Sequence, residues 1–559
     1  MFPLSASKIS KAALSVLLAG VLVLSACSSD SKENSDPSTS PAASPAASAA
    51  ATKAPAKEKV DGGEIVTAYL SDPQGFIRLW ATTTTSSEVT ELVFSYLYKV
   101  NENQDIVPDL ATGLPVFSDD KLTMTVKIRK DAKFTDGTPL TADDVVFTYN
   151  VALSPDYTGP RKGTFSELSK VEKTDDATIV FTFKTPFAGY IDIFPYNILP
   201  KHLLKDVPVK EMDKSEFYKK PVGSGPYKLV EWKTGQYLTF TRNDSYYAGK
   251  PAIEKITSKI VPDANAMMAQ LQTGEINVIG VPADQLSVIE QYVKTSGKLK
   301  LQKGIVTTSY SFIGWNMTNP LFTDKKVRQA LTMSIDRQGI IDGVAEGQGK
   351  IMHGQTVPSY WSYSDNLPKF AFDVEKAKKT FEEAGWKDTN GDGVLDKDGK
   401  KFEFEMQVNQ GNKIREKAVT VIQQQLKKVG ITVNIRVVEG SAFTKNFQEK
   451  KFESIYYAWN ITGDPNPKGL WHSTEIEHGL NTVSYKNPEV DKLIDEDLKS
   501  FDKNKRKELL GKVDAILAED QPYTFLYTPT TIMAYPSNLE GYNPLRDSLK
   551  EVEKWYFTK

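Results

Sequence analysis

Residues able to do chemistry are few in this chain, and their spacing favours binding over bond-breaking. Asp388, Asn390, Asp392, Gly393 and Asp396 in DTNGDGVLDKDG match positions 1, 3, 5, 6 and 9 of an EF-hand-like calcium loop. Position 12, where a bidentate Glu belongs, is Gly399, and the loop joins a helical pattern ending at Gly385 to a strand from Lys401. A polar turn is the better reading, with calcium as a weak candidate. His472 and His478 flank Glu475 and Glu477 in HSTEIEH, a spacing that defines no metal site. With four His and one Cys in 559 residues, a dedicated thiolate or imidazole centre is not expected. No H-E-x-x-H, G-x-S-x-G or S-x-x-K set stands in a catalytic context, Gly223-Ser224-Gly225 lacks the nucleophile-elbow spacing, and Asp143-Asp144 opens a helix. Neither catalysis nor a cofactor is expected.

The stretch that remains is Ser454–Pro467, SIYYAWNITGDPNP, where an apolar aromatic run breaks into Gly, Asp and Pro. The elements before it decide where that break falls. Phe402, Phe404, Met406 and Val408 alternate as a strand. Ile414, Ala418, Ile422, Leu426 and Val429 recur at helical spacing and end at Gly430, a suitable left-handed cap. Ile431, Val433, Ile435 and Val437 alternate again, and a short helix over 441–450 leads to Ser454. Such a β-α-β-α-β run makes parallel strands with right-handed crossovers. Ligands of open α/β sheets sit beyond the carboxyl ends of strands, where Trp459–Asp464 falls. An ordinary αβ loop would have the same local pattern.

The amino-terminal end bears on compartment. Lys8 and Lys11 precede the apolar run Ala12–Leu24, which ends in Leu24-Ser25-Ala26-Cys27. This resembles a bacterial lipoprotein signal over residues 1–26, with Cys27 lipidated and the protein held on the outer face of the cell membrane. Residues 27–58 are Ser-, Ala-, Pro- and Lys-rich and bury too little to offset ordering entropy, so a disordered tether is expected. No later apolar run approaches spanning length. Lys and Arg total 69 against 71 Asp and Glu, a balance that argues against a nucleic-acid partner. About 500 residues remain for the folded part, enough for two or three domains.

Co-linear markers run through that part. They are Val107-Pro108-Asp109-Leu110-Ala111; KLTMTVKIRKDAKFTDGTPLTADDVVFTYN at 121–150; Gly223-Ser224-Gly225-Pro226-Tyr227; Asn243-Asp244-Ser245-Tyr246-Tyr247; Leu271-Gln272-Thr273-Gly274-Glu275-Ile276; and Asp324-Lys325-Lys326-Val327-Arg328-Gln329-Ala330-Leu331 with Ile335-Asp336-Arg337. In this order they resemble the bacterial extracellular solute-binding proteins of family 5, the peptide/nickel type. Read physically, most are scaffold. Thr141 caps a helix with Asp144 at its third position, Asp136-Gly137 turns the chain, and a further helix is expected around 88–100. Arg328 and Arg337 read as solvated or as local ties to Asp324 or Asp336, and the run Lys503–Lys507 as a solvated helix face.

The resemblance implies an α/β, two-lobed clamp of the periplasmic-binding-protein type II class, with an inserted subdomain and mixed sheets flanked by helices. Lobe I would take 59–305 and 528–559, with the insert at about 89–200, and lobe II would take 306–527. It further implies a monomer that captures oligopeptides between its lobes and delivers them to the permease of an ABC importer. A short oligosaccharide or a metal chelate is the alternative, and a lipid-anchored hydrolase the alternative of another class. Peptide-type members need an anion facing the ligand α-amine. Trp459-Asn460-Ile461-Thr462-Gly463-Asp464-Pro465 matches their pattern in outline, with Thr462 where many carry Asp. Asp464 either takes the amine or caps the turn before Pro465. Trp459, Trp361 and Trp471 are candidate walls for apolar ligand groups, Trp315 a further one, and Asn316 and Asn481 are candidate partners for a ligand backbone.

Overall fold

The computed structural model describes residues 58–101, 104–461, 463–543 and 549–559. Cys27, the leader and the tether up to residue 57 lie outside them, as does Thr462.

Alternation becomes strand wherever one face has a core to meet. The strands β1 (Leu299–Val306) and β2 (Ser309–Trp315) follow one another almost directly. Next come β3 (Glu403–Asn409), α1 (Lys413–Lys427), β4 (Thr432–Val438), α2 (Gly440–Gln448) and β5 (Ser454–Asn460). The helical hairpin α3 (Pro488–Lys499) and α4 (Lys503–Asp520) then leads into β6 (Tyr523–Pro536). Strand β3 runs parallel to both β4 and β5, the arrangement the two crossovers require. Phe404, Met406 and Val408 of β3 pack on Ala418, Ile422 and Leu426 of α1. Gly430 has φ +81°, and the Ile431 N–H donates to Leu426 O at 3.1 Å, so the helix closes on its glycine.

Strand β2 lies antiparallel between β5 and the first half of β6, and the second half of β6 pairs with β1. The chain therefore passes between lobes twice, side by side: Thr307 Oγ1 donates to Pro529 O at 3.1 Å. One lobe's core holds Phe312, Trp315, Phe404, Tyr456, Trp471 and Phe525. The other is built around the parallel pair Glu64–Tyr69 and Lys255–Ile260. An antiparallel sheet over 116–183 shares that second core, which is closed by Trp555 near the chain's end. This is the two-lobed α/β clamp. No helix among the described residues is long and apolar enough to cross a membrane.

Two expectations fail for tertiary reasons. The helix placed at 88–100 is Thr84–Val93, and Tyr98–Val100 is a strand. Its last turn is met by the glycines of 223–225: the Gly225 N–H donates to Val93 O at 2.8 Å. A Cβ at Gly223 would stand 2.0 Å from that same oxygen. Arg328 and Arg337 are neither solvated nor paired with the neighbouring aspartates. Asp324 and Asp336 are helix N-caps, and both guanidinium groups are buried against backbone carbonyls.

Candidate functional site

Past the carboxyl end of β5 the chain enters the loop that the sequence singled out. Ile461 N–H donates to Thr308 O at 2.8 Å, tying the loop's start to the crossing, and Pro467 leads into a short helix, Lys468–Trp471. Gly463 has φ +83°, a left-handed turn. Asp464 follows, buried. Its Oδ1 accepts the Asn466 N–H at 3.0 Å, so the carboxylate does cap the turn.

It is not a free anion. Arg506 on α4 donates Nη1 to Asp464 Oδ2 at 2.7 Å and Nη2 to Asp464 Oδ1 at 2.5 Å. The same guanidinium reaches Asp497 on α3 through Nε and Nη2, each at 3.0 Å. A planar fork between two carboxylates is what Arg geometry suits best. Burial alone would depress the Arg506 pKa, and the charges of Asp464 and Asp497 more than reverse it. Burial pushes Asp497 up to about 6, against the pull of Arg506.

A third carboxylate comes from the other lobe. Asp192, in the short turn Tyr190–Ile193, accepts the Asp464 N–H at 2.7 Å. Burial first, and then the charge of Asp464, hold its pKa well above the usual carboxylate range. Further contacts join the lobes here. Ala188 N–H donates to Leu498 O at 2.8 Å. Phe501 sits against Phe117 and Tyr190, with centroids 4.8 and 6.2 Å away. Lys503 pairs with Asp105.

The predicted aromatics divide into two sets. Trp361 belongs to the cluster, its ring 5.7 Å from the Arg506 guanidinium and 5.2 Å from Lys503 Nζ. Trp459 is half-buried on β5, stacked with Phe312 and donating Nε1 to Tyr523 OH at 3.3 Å. Trp471 is fully buried and donates to Gln355 Oε1 at 2.7 Å, and Trp315 is fully buried and donates to Thr524 Oγ1 at 3.2 Å. These last two are core residues. The two asparagines are likewise spent on the protein's own backbone. Asn316 Nδ2 donates to Phe452 O at 2.8 Å, and Asn481 bonds the Tyr485 carbonyl at 2.8 Å and the Tyr485 N–H at 3.0 Å. A ligand backbone would have to displace these bonds.

The loop of 388–399 is also turned on itself. Asp388 accepts the N–H groups of Gly391 and Gly393, Asn390 that of Asp392, and Asp392 that of Val394. Asp392 further pairs with Lys401, and Asp396 holds Thr389 through both oxygens. Among the described residues no group of three or more His, Cys, Asp or Glu is arranged to hold a metal ion.

Sequence reasoning missed Asp192, Asp497, Arg506, Tyr360 and Arg415. Tyr360 is 4 % exposed, and its hydroxyl has no hydrogen-bond partner. With Ile461, Pro465 and Asn466 it lines a small crevice beside the Asp464 turn. Arg415, in the first turn of α1 beyond the end of β3, bonds Asn409 Oδ1 at 2.8 Å and lies 5.2 Å over the Tyr457 ring. No carboxylate among the described residues pairs with it, and burial lowers its pKa. The sequence held one overlooked signal. Arg506 shares the helical stripe of Leu510, Val513 and Leu517, all buried, so it could not sit on a solvated face.

Comparison with known proteins gives the family and the fold. The family model described as bacterial extracellular solute-binding proteins, family 5 Middle, matches residues 105–477. The chain is 41 % identical over 555 residues to the oligopeptide-binding protein AppA of Bacillus subtilis, covering 98 % of each. The solved structure of AppA from Bacillus subtilis, in complex with a nonapeptide, superposes with a TM-score of 0.77 at 42 % identity, covering 90 % of this chain and all of that one. The ABC transporter substrate-binding protein CtaP of Listeria monocytogenes superposes with a TM-score of 0.79 at 27 % identity, covering 89 % of this chain and all of that one.

Proposed function

This chain belongs to the bacterial extracellular solute-binding proteins of family 5, and on that premise we propose that it captures oligopeptides between its lobes and hands them to the permease of an ABC importer. One observation carries the reading: near-complete coverage at 41 % identity to a protein named for oligopeptide binding. The site's polarity supports it. An acidic pole of Asp192, Asp464 and Asp497 around one Arg506 suits a ligand ammonium, and the unpaired Arg415 suits a ligand carboxylate. Trp361 at the acidic pole and Trp459 on β5, both half-buried, offer apolar wall with few fixed polar groups. The work is binding and release. Cys27 carries a lipid, residues 28–58 act as the tether, and the monomeric body meets the permease outside the membrane.

Thermal unfolding of the purified protein with defined peptide pools tests this. A peptide at about 100 times its Kd adds roughly 2.7 kcal/mol and should raise the midpoint by a few degrees. If no pool shifts it after bound ligand has been removed by refolding, the peptide reading fails and oligosaccharides or metal chelates take its place.

A further inference from the structure

The chain joins the lobes at the two crossings beside Thr307 and Pro529. A second junction, made only of side-chain and hydrogen-bond contacts, lies at the tip of the helical hairpin α3–α4. That tip is short and capped on both sides. The Ser500 N–H donates to Asp497 O at 3.0 Å and closes α3. The Asp502 carboxylate accepts the N–H groups of Asn504 at 2.8 Å and Lys505 at 3.0 Å and opens α4. Phe501 stands between the two caps, its backbone fixed from either side.

The Phe501 ring takes no part in the cores of its own lobe. Its ring neighbours belong to the other one. Phe117 meets it edge-on at 4.8 Å and 63°, and Tyr190 lies 6.2 Å away and parallel within 6°. Those two rings touch each other at 4.8 Å and pack against the second lobe's core. Lys121, from the same lobe, places its Nζ 5.8 Å from the Phe501 centroid. The Ala188 N–H donates to Leu498 O at 2.8 Å on one side, and Lys503 pairs with Asp105 on the other. Each contact is made by the protein with itself, so its strength does not depend on what the cleft holds.

We propose that Phe501 is a latch, whose seat against Phe117 and Tyr190 keeps the lobes together without help from a ligand. Rotation about the crossings must pull this ring from its seat and leave it facing water at a hairpin tip. The seat therefore sets how much of the protein is closed. Apparent affinity scales with the closed fraction, so the latch strengthens every ligand by one common factor while contacting none. This goes beyond the peptide reading, and its first test needs no peptide.

Small-angle scattering of the ligand-free protein, stripped by refolding, should give a compact clamp for wild type and a larger radius of gyration for Phe501→Ala. Lys503→Glu, which sets two acids face to face at an exposed pair, should expand it partly, and adding Asp105→Lys should restore the wild-type radius. Calorimetry with two peptides of unrelated sequence should then show Phe501→Ala weakening both by the same factor, roughly tenfold. Equal radii for wild type and Phe501→Ala overturn the latch. So does a penalty that differs between the peptides, which would make Phe501 a ligand contact. If Phe501→Ala does not fold, the exposed charge pair decides: no expansion in Lys503→Glu overturns the latch. If no peptide binds wild type, the peptide reading fails and the scattering result alone settles the latch.

Discussion

Arg337 and Arg506 are each 5 % exposed, and they are satisfied in opposite ways. Arg337 donates to the carbonyls of Met352, Phe525 and Phe370 at 2.8–2.9 Å and pairs with no carboxylate among the described residues. Burial lowers its pKa to about 10. Arg506 lies between two buried carboxylates, with a third from the opposite lobe beyond them. The first arrangement stays within one lobe and knits three segments together. The second gathers carboxylates from separate segments, with Asp192 reaching the Asp464 N–H from 272 residues away. Burial of an ion therefore does not by itself mark a working site.

The largest effect should follow from cutting the structural arginine. Arg337→Met takes this partner from three carbonyls, two of them buried, at about 1–3 kcal/mol for each buried one, and should lower stability by several kcal/mol. Denaturant titration would show it, while peptide affinity of the folded fraction stays at the wild-type value. Arg506→Met strands Asp464 and Asp497, with an expected loss of about 3–5 kcal/mol. Here peptide affinity should change as well. Adding Asp497→Asn should restore part of the stability, because one of the two stranded charges is gone. If Arg506→Met left peptide affinity untouched, the contrast between the two arginines would collapse.

Asp514 carries the comparison over to carboxylates. It is buried on α4, no cation among the described residues pairs with it, and burial pushes it up to about 6. The folded pKa lies above the unfolded value of 3.8, so the native state binds the extra proton between them. Stability from this group is greatest below pH 4, falls as pH rises from about 4 to 6, and is level above. The span is on the order of 3 kcal/mol for two pKa units. Subtracting the Asp514→Asn profile from wild type should isolate that slope. A slope of the other sign would mean that Asp514 is held ionised.

What the sequence disclosed follows the same division between local and long-range causes. Strands β3, β4 and β5, the Gly430 cap and the Thr141–Asp144 capping box are set by neighbours in sequence, and alternation or spacing reports them. The Asp464 loop was found because strand ends place ligands. Its partners were not, because Arg506 is 42 residues away and Asp192 is 272. No local pattern encodes such a meeting. Trp361 and Trp471 share a residue type and a polar sequence context, and only packing separates an indole beside a cation from a core one.

Arg415 is the third case and should give the smallest effect. It has neither the carbonyl cage of Arg337 nor the carboxylates of Arg506, only Asn409 and the face of Tyr457. In the proposed function this guanidinium, at the carboxyl edge of the sheet, takes the ligand carboxylate. Amidating the carboxyl terminus of a bound peptide should cost about tenfold in affinity, near the worth of one charge-assisted hydrogen bond. Arg415→Gln should remove that difference and leave the preference for a free amino terminus intact. Peptide length adds a ruler, since an extended chain gains about 3.3 Å per residue. Amidation should matter only at the length that spans from the acidic pole around Arg506 to Arg415. A penalty independent of length, or one that survives Arg415→Gln, would place the carboxylate elsewhere and reduce Arg415 to the partner of Tyr457.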